Sequence, residues 1–186
     1  MKLLTVLITV VVFLTTLDVV AQIQHQEQGG WCWAACIQDV EQEAGLDEQQ
    51  GDIVSRLYGS PQNRGATIDQ VAALLRKVGL HGTYYQYPPQ NPVQLSTAFA
   101  TSWKIIALVD PSLGPAGHFI VLEAATPYGL VLVSDPFPPF SRWMPVAEVY
   151  QILIAEPVSS LSAQRPVSTA KVHKQFEFRS VQQTNC

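Results

Sequence analysis

The rhythm of apolar positions changes several times along the chain. Residues 3–14 are an unbroken run of apolar side chains and threonines. After a polar stretch at residues 22–28, apolar positions recur at helical spacing. Trp33, Ile37, Val40 and Ala44 put one buried stripe on a helix that begins near Cys32. Gly45 follows as its C′ residue. Residues 59–65 carry Pro61 and Asn63 and read as a loop. A second helix starts at Thr67, which forms a capping-box pattern with Gln70. Ile68, Val71, Leu75 and Val78 make its apolar face, and Gly79 stops it.

Period-two signals take over further on. Residues 84–87 read as a short strand, residues 88–92 as a proline-rich loop and residues 93–101 as a short helix. Lys104–Val109, residues 118–124 and Leu130–Ser134 are β-branched and aliphatic runs bounded by Pro and Gly, and they read as strands. The last two form a hairpin across Thr126-Pro127-Tyr128-Gly129. Residues 144–151 suggest one or two helical turns and residues 152–155 a final strand. Helices followed by an antiparallel sheet make an α+β layout.

The two ends differ from this middle. Residues 1–21 pair one lysine, Lys2, with the apolar run and end on small residues at Ala21. The run is shorter than the roughly 20 apolar residues of a membrane span, so it reads as a cleavable secretory signal. Asp18 interrupts it and no cationic cluster follows, which argues against a membrane anchor. The expected location is therefore secreted or periplasmic, with no stable membrane insertion after cleavage. Residues 22–157 form the expected domain. Residues 158–186 are rich in Ser, Thr, Gln and Val and read as a loosely held tail, in which the alternation around Phe176 and Phe178 allows a short added strand.

Charge narrows the partners. The net charge is −4 and Lys and Arg are not clustered, which points away from nucleic acid. A monomeric state is expected. The three cysteines are Cys32, Cys36 and Cys186. An exported chain tends to pair its thiols, so a Cys36–Cys186 bridge would leave Cys32 free. Cys36 otherwise reads as core. A Cys36-based metal pair would need closer cysteine spacing and further ligands than the scattered histidines offer, so neither metal nor other cofactor is expected.

Cys32 follows Gly29-Gly30 and opens a helix, where unpaired backbone N–H groups favour the thiolate, the nucleophilic form. The glycines would let a substrate backbone approach. A cysteine nucleophile needs a base, and the base needs an orienting group. Among the four histidines, His25 and His173 lie in polar segments and His81 follows a helix end. His118 stands after Gly117 at the mouth of the strand Phe119-Ile120-Val121-Leu122. Asp135 lies on the partner strand. If the two faced each other, the hairpin would be centred between residues 126 and 127, within reach of the expected turn. They are therefore cross-strand neighbours, directly opposite or diagonal. A carboxylate there can hold the imidazole in one tautomer and stabilise its cation. Gln26, six residues before Cys32, could donate an amide N–H to an oxyanion, with the Cys32 backbone N–H as the other donor; Gln28 competes for that role.

Gln26 with Cys32-Trp33-Ala34-Ala35, then Gly117-His118-Phe119-Ile120-Val121, then Val131-Leu132-Val133-Ser134-Asp135-Pro136, resembles the papain-like cysteine peptidases. Within them it is most similar to a compact bacterial branch. That branch includes effector proteases with a Cys-Trp-Ala-Ala motif and the double-glycine leader peptidases of bacteriocin export. The resemblance spans roughly residues 26–155. It implies a papain-like fold, with a central helix starting at the nucleophile and packed on a C-terminal antiparallel sheet. It further implies Cys32 as nucleophile, His118 as general base and acid, Asp135 as orienter, Gln26 as oxyanion donor and Trp33 packed behind the nucleophile. Two positions depart from the branch: Trp31 directly before the nucleophile, and Ser102-Trp103-Lys104 where Gly-x-Pro is common. No transporter segment follows, so leader processing coupled to export on the same chain is not expected. The resemblance thus implies a secreted cysteine peptidase that cleaves peptide or protein substrates through an acyl-enzyme with a Cys32–His118–Asp135 triad; the same triad would also serve an amide hydrolase or transpeptidase on cell-wall or small-peptide substrates, and the fold could serve as a non-catalytic interaction module.

Overall fold

In the computed structural model of the protein, residues 23–85, 95, 98–99, 104–110 and 117–157 are described. Helix α1 (Cys32–Glu43) realises the first helical stripe, with Trp33, Ile37 and Val40 completely buried. Its polar residues Gln38, Asp39 and Glu41 are buried too, so the helix is enclosed on nearly all sides. Gly45, at φ +79°, ends it in the left-handed region that glycine adopts without a Cβ clash. Helix α3 (Ile68–Lys77) carries the complete capping box. The Gln70 N–H donates to Thr67 Oγ1, and the Thr67 N–H donates to Gln70 Oε1 at 2.9 Å. Between them lies α2 (Gln50–Tyr58), which the apolar spacing does not announce. Ile53 and Val54 are its only fully buried apolar residues, and Leu57 packs at its margin.

Six strands form one antiparallel sheet in the order β1-β6-β2-β3-β4-β5. They are β1 (Leu80–Tyr85), β2 (Lys104–Val109), β3 (His118–Ala125), β4 (Leu130–Ser134), β5 (Ser141–Pro145) and β6 (Val149–Pro157). Successive side chains alternate between the two faces. Ile106, Leu108, Phe119, Val121 and Leu153 face the helices. Ile105, Ala107, Ile120, Leu122, Val131, Val133 and Ile152 form a second core on the other face, with Leu95 and Ala98. Burial on both faces explains why β2 and β3 read as continuous apolar runs rather than alternating ones.

The sheet corrects the sequence reading in three places. Residues 144–151 are mostly extended and hold only one short helical turn. Met144 belongs to β5, Val146–Glu148 is a single 3-10 turn, and β6 has begun by Val149. Pairing decides this: Ser141–Pro145 lies along β4 with Met144 opposite Val131, and tertiary contact overrides weak local preference. Strand β1 starts at Leu80, directly after Gly79, and pairs with β6, which runs from Val149 to Pro157 rather than over residues 152–155 alone. Gln86 and Tyr87, the proline-rich loop and most of residues 93–101 lie outside the described residues, although Leu95, Ala98 and Phe99 are helical as expected. The signal at residues 1–21 and the tail at residues 158–186, with Cys186, His173, Phe176 and Phe178, also lie outside them. Among the described residues no helix is long and apolar enough to cross a membrane.

One buried ionic cluster joins the layers. Lys104 Nζ on β2 stands 3.3 Å from Asp39 Oδ2 on α1 and 3.3 Å from Glu123 Oε2 on β3. Burial raises the Asp39 pKa from 3.8 to about 6; Lys104 offsets part of this and Glu123 adds to it. A folded-state pKa above the unfolded value means the native state binds the proton more tightly. The resulting stability is complete below about pH 4 and lost as pH rises through about 6. Urea unfolding should therefore show a loss on the order of 3 kcal/mol over that window from this group, and Asp39→Asn should flatten it; an unchanged slope in the variant would count against the assignment.

Gly117 is a second constraint. At φ +38° an added Cβ would sit 2.6 Å from Leu108 Cδ1 and 3.0 Å from the Val109 carbonyl oxygen. Gly117→Ala should cost about 2 kcal/mol or more in the same assay, through backbone strain and the collision together.

Candidate active site

The site is assembled where the start of α1 meets the open end of the β3–β4 hairpin. Cys32 is the first residue of α1 and only 7% exposed. The helix start has no side-chain cap and no acidic residue in its first turn. No backbone carbonyl or side chain among the described residues accepts the Cys32 backbone N–H. That donor is one of the orphan N–H groups every helix start leaves unpaired.

His118 opens β3, and its Nε2 lies 2.7 Å from Asp135 Oδ1. The two side chains are neighbours, with Asp135 paired two residues along β3 from His118 and therefore on the same face. Val121 faces Ser134 and Leu122 faces Val133, so Asp135 lies opposite Ile120 and reaches His118 on the diagonal. A bulge between Leu122 and Ala124 shifts the rest of the ladder, which the simple hairpin count did not include. With Nε2 engaged by Asp135, Nδ1 is the free ring nitrogen, and Cys32 is near enough to the ring to favour its cation. Burial disfavours the imidazolium. The hydrogen bonds to Asp135 and Cys32 and their negative charge outweigh it, and the His118 pKa rises from 6.5 to about 9.

Asp135 is almost completely buried. Its Oδ1 also accepts the Phe137 N–H at 2.9 Å, and its Oδ2 accepts from Arg142 Nη1 at 2.7 Å. Burial pushes its pKa up, but the bonds from His118, Arg142 and Phe137 hold it below the usual carboxylate value. Arg142 is the residue in contact with this site that the sequence pattern does not point to. It lies on β5, a strand that the apolar spacing does not announce, since Ser141-Arg142-Trp143-Met144 does not alternate.

Gln26 is buried beside the nucleophile segment, but its amide is already occupied. Nε2 donates to the carbonyls of Gln28 and Gly29, both at 3.1 Å, while Oε1 is buried without a partner among the described residues. Its backbone N–H donates to the Pro136 carbonyl, next to Asp135. Gln28 is exposed, and its carbonyl caps the turn that delivers Trp31. The segment preceding the helix is further tied down by Gln50. This residue accepts the Glu27 N–H and donates to the His25 carbonyl. The His25 ring rests edge-on against Phe140 at 5.5 Å, away from any triad role. His81 is an exposed residue of β1.

The two tryptophans flanking Cys32 are anchors. Trp31 Nε1 donates to the Gln62 carbonyl at 2.7 Å, and Trp33 Nε1 to the Arg64 carbonyl at 3.0 Å. The Gly30 N–H donates to Asn63 Oδ1. These bonds clamp residues 62–64 to the nucleophile segment, and Trp33 packs fully buried against the Tyr58 ring. Gly30 is needed for this close approach, since a Cβ would lie 3.2 Å from the Arg64 backbone; Gly29 faces open space. Cys36, one turn below Cys32, is a free thiol with no exposed surface and packs as a core residue. Among the described residues no group of three or more metal-ligating side chains occurs.

No family model matches the sequence, and no curated protein matches it. Solved structures do match the fold. The peptidase domain of Streptococcus ComA, a bifunctional ABC transporter involved in a quorum-sensing pathway, superposes with a TM-score of 0.58 at 15% identity over 74% of this chain and 98% of that one. A double-glycine-motif protease from an AMS/PCAT transporter, solved with its leader peptide, superposes with a TM-score of 0.56 at 20% identity over 73% of this chain and 91% of that one. Helices α1 to α3 packed on the six-stranded antiparallel sheet of the described residues thus give this chain the papain-like cysteine peptidase fold of double-glycine peptidase domains.

Proposed function

We propose that the chain is a secreted cysteine peptidase that cleaves peptide bonds with Cys32, His118 and Asp135. The observation that carries this reading is the Asp135 Oδ1 to His118 Nε2 contact, 2.7 Å long, on a ring whose cation is favoured by Cys32 at the start of α1. The Cys32 thiolate attacks the scissile carbonyl carbon, and the carbonyl electrons move onto oxygen. The unpaired Cys32 N–H meets that oxyanion. Gln26 is the second donor once it releases one of its two long carbonyl bonds. As the tetrahedral intermediate collapses, the His118 imidazolium gives its proton to the leaving amine, and a thioester remains on Cys32. A water molecule, deprotonated by His118, then attacks the thioester carbonyl and frees the acid, restoring thiolate and imidazolium. Asp135 keeps the ring turned toward the sulfur throughout.

The substrate in this reading is a peptide held in extended form beside Gly29. A similar structure was solved with a leader peptide, so peptides ending in a double glycine are the first to try. Export follows from the apolar run at residues 3–14; amino-terminal sequencing of the exported protein should start at Gln22.

Iodoacetamide or a thiol-directed epoxide should label Cys32 in preference to the buried Cys36. His118→Ala should lower the Cys32 labelling rate at pH 7 by about 100-fold. Labelling at the rate of an ordinary thiol in both proteins would end the proposal.

A further inference from the structure

Arg142 stands outside the triad but completes the surroundings of its carboxylate. Asp135 has two oxygens and three donors. Oδ1 serves His118 Nε2 and the Phe137 N–H; Oδ2 has Arg142 Nη1 at 2.7 Å. The guanidinium comes from β5, where Ser141 faces Ser134 and the Phe140 carbonyl accepts the Asp135 N–H. Arg142 thus approaches from the strand opposite β3, the strand that carries His118. The carboxylate is held from both sides, with its plane fixed between the two cations.

We propose that Arg142 is a positioning residue that locks the Asp135 carboxylate so that Oδ1, and not Oδ2, faces His118. Without it, Oδ2 would be a buried carboxylate oxygen lacking a donor, an arrangement that drives a side chain to rotate or take up water. Rotation would carry Oδ1 off the imidazole, free the ring and weaken its hold on the Cys32 thiolate. The charged or titratable groups around this unit are His118 on β3, Arg142 on β5, and Cys32 and Cys36 on α1. Arg142 is itself half-buried, with its side chain 35% exposed, so its stem can be exchanged with little loss of core.

The inference rests on the triad reading above, and a double-mutant cycle tests it without any peptide substrate. The readout is the rate at which iodoacetamide labels Cys32 at pH 7. Arg142→Gln should slow labelling about tenfold, whereas in an Asp135→Asn background the same change should alter the rate less than twofold, because the residue acts only through Asp135. Arg142→Lys, which keeps the charge but loses the planar fork, should recover part of the rate and provides the comparison if the glutamine variant does not fold. Full-rate labelling in Arg142→Gln, or an equal loss in the Asp135→Asn background, would overturn the proposal. Failure of the triad reading itself would look different: Asp135→Asn alone would then leave the rate unchanged.

Discussion

The site depends on a single buried negative charge. Asp135 lies 4% exposed, where an isolated carboxylate would be far too costly to leave ionised. Three donors from three places compensate it: a ring nitrogen at the start of β3, a guanidinium on β5 and a backbone N–H in the loop between β4 and β5. Each fixes one direction of the carboxylate. Together they convert a desolvation penalty into orientation, and the imidazole inherits that orientation. His118 keeps its proton to about pH 9, because burial, which alone would strip it, is outweighed by Asp135 and Cys32.

The two halves of the fold meet at this charge. The sheet supplies the imidazole at the start of β3 and the carboxylate just after β4, while the helical layer supplies the thiol at a helix start. Their joint is not left to apolar packing alone. Lys104 links α1 to β2 and β3 beneath the site, and Gln26 links the segment before α1 to the Asp135 loop through the Pro136 carbonyl. Gly117 lets the chain turn into β3 in the left-handed region where any Cβ would strike Leu108. On the far side of Cys32, Trp31, Trp33 and Gly30 hold residues 62–64 in place.

Much of this was legible in the sequence where a local rule decides the outcome. The helix at Cys32, the capping box at Thr67, the three central strands and the turn across residues 126–129 all follow from short-range periodicity or chemistry. His118 and Asp135 were brought together by counting along one hairpin. The pair meets diagonally, one of the two arrangements the count allows, while the bulge between Leu122 and Ala124 lies outside what such a count can show. Other features are set by distant partners. Strand β5 exists because β4 offers it an edge, so residues 144–151 alone looked helical and Arg142 stayed out of view. Helix α2 carries too few buried apolar positions to show a stripe. The occupied amide of Gln26 depends on how the chain folds back at Gln28 and Gly29, which spacing to Cys32 does not encode.

The central claim is that Cys32, His118 and Asp135 act as one charge-coupled unit, and the protonation of His118 reports on it directly. Titrating the His118 ring in the intact protein by heteronuclear NMR measures it without substrate or inhibitor. A midpoint near pH 9 that drops in Asp135→Asn is the predicted result. A midpoint at the ordinary value near 6.5, indifferent to that substitution, would contradict the account.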